Sequence, residues 1–310
     1  MKDTILVPHT ACYRCTLGCS RWVKIEEGPY KMDGPGPEYE TLAAFGTMCL
    51  IDDLNAVSFA NDLCNRYGID TISTGVAIAF AMEAYEKGLI RKEDTGGIEL
   101  KWGNAQAMIA MTHQIGKNEK LGALLGQGVK RAAEKLGGDS WKYAVHVKGM
   151  ETPMHDPRTF YSMGLTYAVG PRGACHLHGH SPLWENVQDP LPEWGLKGMY
   201  PLHESKGKGL MVKLSQDFTA VVNSMVSCYF ITFILKPSDL AAVLTAATGT
   251  KYTAKSLLKV GERIMALHRA YNNLCGITRK DDVLAPRQLE ATKEGGNAGK
   301  VPDMEVMLKE

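Results

Sequence analysis

Three cysteines fall in the run C-Y-R-C-T-L-G-C, at Cys12, Cys15 and Cys19. Thiolates at C-x-x-C-x-x-x-C spacing can converge on one face of a 4Fe-4S cluster, which then needs a fourth ligand from elsewhere in the chain. With 8 cysteines in 310 residues, chance supplies this spacing on the order of 0.005 times per chain. Structural zinc usually takes a second short Cys or His pair within roughly 12 to 20 residues, whereas the next Cys or His after Cys19 is Cys49. Disulfide frameworks belong to small, cysteine-dense secreted chains. A cluster is therefore the leading reading, with zinc and inert or paired thiols as its rivals.

The elements that must position these thiols can be read from periodicity and punctuation. Residues 1–50 are loop-rich, and the repeated Gly and Pro between Gly28 and Pro37 argue against a regular element there. From Ile51 the pattern turns helical, with Leu54, Val57, Ala60 and Leu63 on one face and a stop at Gly68. Ser73 and Thr74 are candidate caps for a helix over about 75–88, and two more helices are expected over 104–118 and 120–136. Residues 137–210 hold half of the prolines, H-D-P-R at 155–158 and G-P-R-G-A-C-H-L-H-G-H at 170–180, the composition of loops that carry function. Helices resume over 213–233, 237–248 and 253–273, and T-R-K-D-D-V-L-A-P-R-Q-L reads as a surface arm. Strand signals are few, the clearest being 143–147. The expectation is a mainly α fold of two helical lobes with loop-rich, cofactor-facing segments, divided into domains 1–150 and 151–310.

Composition narrows the function classes. The chain is 45% hydrophobic and 22% charged, with 35 basic and 34 acidic residues and a formal net charge of +1, so no electrostatic footprint points to nucleic acid or an anionic membrane. The uncharged stretch from Phe218 to Leu235 contains Asn223, Ser224, Ser227 and Thr232, which make it a buried helix rather than a membrane span. No G-x-G-x-x-G follows a strand, which argues against a nicotinamide site. Unpaired cysteines without a targeting signal fit a reducing cytoplasm.

Beyond the triplet come G-P-E-Y-E-T-L at 36–42, L-C-N-R-Y-G-I-D-T-I-S-T-G at 63–75, G-V-K-R-A-A at 128–133, H-V-K-G-M-E-T-P at 146–153, H-D-P-R at 155–158, R-G-A-C-H at 172–176 and T-R-K-D-D at 278–282. In this order they resemble the tungsten-dependent aldehyde ferredoxin oxidoreductases over almost the whole chain. The resemblance implies that Cys228, closing N-S-M-V-S-C where the family has D-x-x-G-L-C, is the fourth cluster ligand. The sister segment N-R-Y-G-I-D matches D-x-x-G-L-D, so Asn65, Asp70 and Asn223 are candidates for hydrogen bonds to pterin ring edges. Asparagine stands at 65 and 223 where the pattern has aspartate, and Val226 replaces its glycine; Asp70 reads equally as a helix N-cap. Glu38, or Glu40 if the register slips, matches a glutamate near the tungsten. His176 matches a histidine that hydrogen-bonds substrate, although His178 and His180 at alternating spacing make an H-x-H-x-H metal site a rival. Cys49, Cys64, Cys175 and Cys275 read as small core residues.

The implied reaction is oxidation of a small-molecule aldehyde to a carboxylic acid at a tungsten (or molybdenum) bis-pterin. Electrons leave singly through the 4Fe-4S cluster to ferredoxin or a similar carrier. The family's β-rich N-terminal pterin-binding domain has no counterpart here, so the expectation is the C-terminal two domains of a longer protein, or a partner of a separately encoded half. A tungsten subunit of an acyl-CoA (aromatic ring) reductase-type complex and a non-catalytic iron–sulfur electron-transfer or interaction subunit are the alternatives.

Overall fold

The computed structural model describes residues 1–7, 9–179 and 181–310; His180 lies outside the described residues. They divide into two units, Met1–Met154 and His155–Glu310. The fold is mainly α: among the described residues the only sheets are two antiparallel hairpins of two strands. No helix is long and apolar enough to cross a membrane among those residues.

The first unit opens with β1 (Trp22–Ile25) paired to β2 (Met32–Pro35), with Val23 opposite Gly34. This corrects the expectation of an irregular 28–37 segment. The alternation of buried Val23, Ile25 and Met32 with exposed neighbours outweighs the Gly and Pro content, because one buried face suffices to set a strand register. A single helical turn, Tyr39–Thr41, runs into a π-helical stretch, Leu42–Thr47.

Helix α1 (Leu54–Tyr67) is capped by the Asp53 carboxylate, which accepts from the Asn55 and Ala56 N–H groups, and it stops at Gly68 with φ +68°. Helix α2 (Thr71–Glu86) begins a turn earlier than Ser73 and Thr74 suggested, because Asp70 accepts the Ser73 N–H at 2.7 Å. It is buried from Thr74 to Met82 and forms the centre of the first core with Phe45, Val57, Met108, Met111 and Leu125. Helix α3 (Ala105–Lys117) follows, capped by Asn104.

The single helix expected over 120–136 is two, α4 (Lys120–Leu125) and α5 (Val129–Leu136). Gly128 lies between them at φ +93°, and the Val129 N–H donates to the buried Glu151 carboxylate at 2.7 Å rather than to a preceding turn. Glu151 sits on the hairpin of β3 (His146–Val147) and β4 (Met150–Glu151).

The second unit contains α6 (Tyr161–Val169), a long connection, α7 (Lys208–Ser224), a 3-10 turn at Tyr229–Phe233, α8 (Pro237–Thr248), α9 (Ala254–Leu274) and α10 (Met304–Lys309). Its main core joins Trp194, Leu196, Leu214, Phe218, Val221, Leu240 and Leu257. Helices α7 and α9 cross closely at Gly261, where a Cβ would stand 2.4 Å from the Asp217 carbonyl oxygen.

Two expectations fail in this unit. The 213–233 helix ends at Ser224, because Val226 takes φ +55°; beyond it Phe230, Phe233 and Ile234 are exposed rather than buried. The supposed surface arm after Thr278 is packed: Asp282 is buried and makes a bidentate pair with Arg269 at 2.9 Å, and Leu284, Ala285 and Gln288 are buried as well. In H-D-P-R, Arg158 grips Asp156 and donates to the carbonyl of Glu290 at 3.1 Å, a clamp on this C-terminal stretch.

Candidate functional site

Residues 11–19 form a loop closed at its base by reciprocal backbone bonds: the Thr10 N–H donates to the Ser20 carbonyl at 3.0 Å and the Ser20 N–H to the Thr10 carbonyl at 3.2 Å. The strands below continue this ladder, with the Val7 N–H donating to Trp22 and the Lys24 N–H to Ile5. Inside the loop the Cys15 N–H donates to the Cys12 carbonyl at 2.9 Å, and Arg14 and Gly18 take φ +56° and +55°. The loop is thus pinned at its base and bent by two left-handed residues. Its thiols are free, with Cys12 and Cys19 exposed and Cys15 half-buried.

The other cysteines differ from one another. Cys49 and Cys64 are fully buried, and desolvation pushes both thiols up to about 12. Cys49 also donates to the carbonyls of Ala44 and Gly75. Such thiols stay protonated and do not ligate metal. Cys175 is buried too, while Cys275, expected in a core, is exposed at the C-terminus of α9 because its helix presents that end to solvent.

Within the first unit the sequence candidates are physically connected. Arg21, at the exit of the cysteine loop, bonds Glu38 at 2.7 Å and the Pro37 carbonyl at 3.4 Å. The next turn carries Glu40, which is 6% exposed and accepts the Met154 N–H at 2.8 Å. Thr41 then bonds Thr71 hydroxyl to hydroxyl at 2.8 Å, beside Asp70. Asn65 is exposed on the last turn of α1, and Asp70 lines a cavity of about 310 Å³ with Ser73, Thr74, Gly126, Gln127 and Glu151. Sequence inspection missed Arg21 and Thr41, whose partners lie 17 and 30 positions away; no local pattern marks such pairs.

In the second unit His176 is buried against His155, ring centroids 5.3 Å apart. His178 stacks on His268 of α9 at 6.5 Å, and the two line a cavity of about 200 Å³ with Gln216, Thr219, Asn223, Ser224 and Met265. His268 gave no signal in the sequence. Burial first, then the Arg172 charge and His268, push His178 down to about 4 from 6.5. The unfolded chain therefore binds more protons than the folded chain as pH falls from 6.5 toward about 4, and stability drops across that window. His178→Gln is expected to flatten this part of a plot of urea midpoint against pH.

The two candidate cofactor segments share one backbone. In the first, the Gly68 N–H bonds the Asn65 carbonyl and the Ile69 N–H that of Cys64; in the second, the Val226 N–H bonds Asn223 and the Ser227 N–H bonds Val222. Each segment then turns extended, at φ −69°, ψ 131° for Asp70 and φ −60°, ψ 137° for Cys228. Each has a cavity beside it, lined by Asp70 in one case and Asn223 in the other.

These features coincide with a match over residues 1–310 to the family described as aldehyde ferredoxin oxidoreductase, domains 2 and 3. The chain belongs to the aldehyde ferredoxin oxidoreductase family. It is 38% identical to the tungsten-containing aldehyde ferredoxin oxidoreductase of Pyrococcus horikoshii and 37% identical to that of Pyrococcus furiosus, in each case over 99% of this chain and 50% of the relative. The chain thus spans about half the length of the curated relatives it matches. The aldehyde ferredoxin oxidoreductase fold seen here also resembles the active site complex BamBC of benzoyl coenzyme A reductase in complex with 1,5-dienoyl-CoA, with a TM-score of 0.74 at 20% identity. That likeness covers 92% of this chain and 48% of the other.

Proposed function

We propose that this chain supplies the cluster-binding and pterin-facing half of a tungsten oxidoreductase that converts aldehydes to carboxylic acids and passes the electrons to ferredoxin or a similar carrier. The observation that carries the proposal is the pinned nine-residue loop with three free thiols on 4Fe-4S spacing, in a chain of this family. Cys12, Cys15, Cys19 and Cys228 are the proposed cluster ligands. A set of four thiolates from a short loop and one distant cysteine is what such a cluster takes. When bound, the tungsten bis-pterin supplies the two-electron oxidation at the carbonyl carbon, and the cluster the one-electron steps toward the acceptor.

The chain's own residues orient and manage protons. Asp70 and Asn223, each lining a cavity, are proposed to accept hydrogen bonds from pterin ring edges, with Asn65 beside the first. A carboxylate or amide oxygen fixes the orientation of an amino-pyrimidine without a covalent bond. Proton handling is assigned to a carboxylate of the G-P-E-Y-E turn and to His176. Glu38 is tied to Arg21 at the surface, whereas Glu40 is buried and held by a backbone N–H, so burial favours Glu40 for the role. A pterin-binding domain or subunit is the proposed partner.

Metal analysis of the protein purified with its pterin-binding partner tests the reading. Tungsten with iron and sulfide is the expected result; iron and sulfide alone would leave only an electron-transfer subunit, and zinc alone would sink the cluster. Aldehyde-dependent reduction of benzyl viologen is expected in protein containing the pterin-binding partner, and turnover of thioesters alone would exclude aldehyde oxidation. In the same assay, Glu40→Gln and His176→Ala should each lower kcat by about 10²- to 10⁴-fold, and Glu38→Gln by much less.

A further inference from the structure

The turn before Cys228 contains a residue that works against its own backbone. Position 226 closes α7 in the left-handed region, at φ +55°, with hydrogen bonds to residue 223 and from residue 227 to residue 222. At the same point of the sister turn stands Gly68, at φ +68°, with the same two bonds. Glycine takes this conformation without steric cost, whereas a β-branched side chain there is an outlier. The usual compensation is packing, and among the described residues of this chain Val226 finds none, being 93% exposed. Neither the backbone nor the core of this chain accounts for a valine at this position.

What differs between the two turns is the residue they deliver. The glycine turn leads to Asp70, whose carboxylate caps α2 and is the oxygen acceptor proposed for a pterin ring edge. The valine turn leads to Cys228, a free and exposed thiol two residues on, followed by the exposed rings of Phe230 and Phe233, which stack at 5.6 Å. For a thiolate in an iron–sulfur cluster, the surrounding apolar shell controls access of water and hence redox potential and chemical lability. We infer that Val226 is a tuning residue, held in a strained conformation so that its isopropyl group shields the cluster at Cys228 from solvent. The inference rests on the proposed assignment of Cys228 as a ligand.

The test compares Val226→Gly and Val226→Thr with the unsubstituted protein, each assembled with iron and sulfide without oxygen. Val226→Gly relieves the strain and removes the shield. It is expected to raise Tm by about 2–4 °C, despite the freedom glycine adds to the unfolded chain. In air its visible iron–sulfur absorption should bleach several-fold faster, and its midpoint potential should move upward. Val226→Thr keeps the branched shape and the strain but is polar, so Tm should stay put while bleaching still accelerates. Bleaching rates and potentials unchanged in both variants would overturn the inference, as would a lowered Tm for Val226→Gly. An unsubstituted protein without the absorption, or a Cys228→Ser variant that keeps it intact, would instead defeat the ligand assignment, and the inference with it.

Discussion

Serine in place of Cys15 is expected to remove the visible iron–sulfur absorption and to lower electron delivery to a dye by at least about a hundred-fold, since even outer-shell changes at metal sites cost 10- to 100-fold. An alkoxide is a far poorer ligand for iron than a thiolate, and the loop offers no substitute donor at that point. Cys15 is the half-buried member of the triplet, and its N–H is already engaged by the Cys12 carbonyl. Cys12→Ser, Cys19→Ser and Cys228→Ser should damage the absorption in the same way. Cys49→Ser is the control. Its thiol is desolvated, pushed up to about 12 and bonded to two backbone carbonyls, so the substitution should cost some stability and leave the spectrum alone. Loss of the spectrum in Cys49→Ser with retention in Cys12→Ser would refute the ligand set.

The largest expected effect on stability is at an ion pair with no solvent exposure. Lys208, at the start of α7, donates to Glu185, and both side chains are 0% exposed. The ammonium also donates to the Pro201 carbonyl at 2.7 Å, and the same carboxylate oxygen accepts the Ser162 N–H of α6 at 3.2 Å. Burial pushes the Glu185 carboxyl up and the Lys208 ammonium down, each resisted by the other. Removing one partner leaves the other buried and uncompensated, so Lys208→Met should destabilise the second unit by about 3–5 kcal/mol, measured by urea unfolding. The double variant Lys208→Met, Glu185→Met restores an apolar pair and should recover most of that loss. A double variant no more stable than Lys208→Met would show that the pair acts through its backbone contacts, which a methionine cannot replace.

That pair also shows why part of this molecule was illegible beforehand. Glu185 stands in G-H-S-P-L-W-E-N, yet its partner is 23 residues away and it ties this connection to two helices. H-D-P-R and T-R-K-D-D also turn out to be structural. Both stood out as motifs, and both place an arginine–aspartate grip at a junction, Arg158 with Asp156 and Arg269 with Asp282. Charged residues in a short motif do not say whether their partner is a ligand or another part of the chain.

Helix boundaries were legible where the stop is encoded by a residue type and obscure where it is not. Gly68 announces the end of α1 because glycine is the default left-handed residue. Val226 ends α7 in the same conformation without any such signal, so the sequence pattern alone carries the helix on to residue 233 and buries phenylalanines that the structure exposes. The break at Gly128 was hidden for a different reason: the N-terminus of α5 is stabilised by Glu151, a partner that periodicity cannot reveal.

The sequence by itself determined the class of fold, the family and the cysteine spacing, because helical periodicity, glycine stops and thiolate spacing are local properties of the chain. Only the tertiary structure decided which groups are dry, which are charged together and which backbones coincide. Cys49 and Cys12 are the same residue type, but one is sealed in a core and the other stands on a pinned loop. Glu38 and Glu40 are two positions apart, and one faces solvent while the other is buried. Burial and pairing set the protonation and reactivity of a side chain, and both arise from residues far away in the chain brought close by packing.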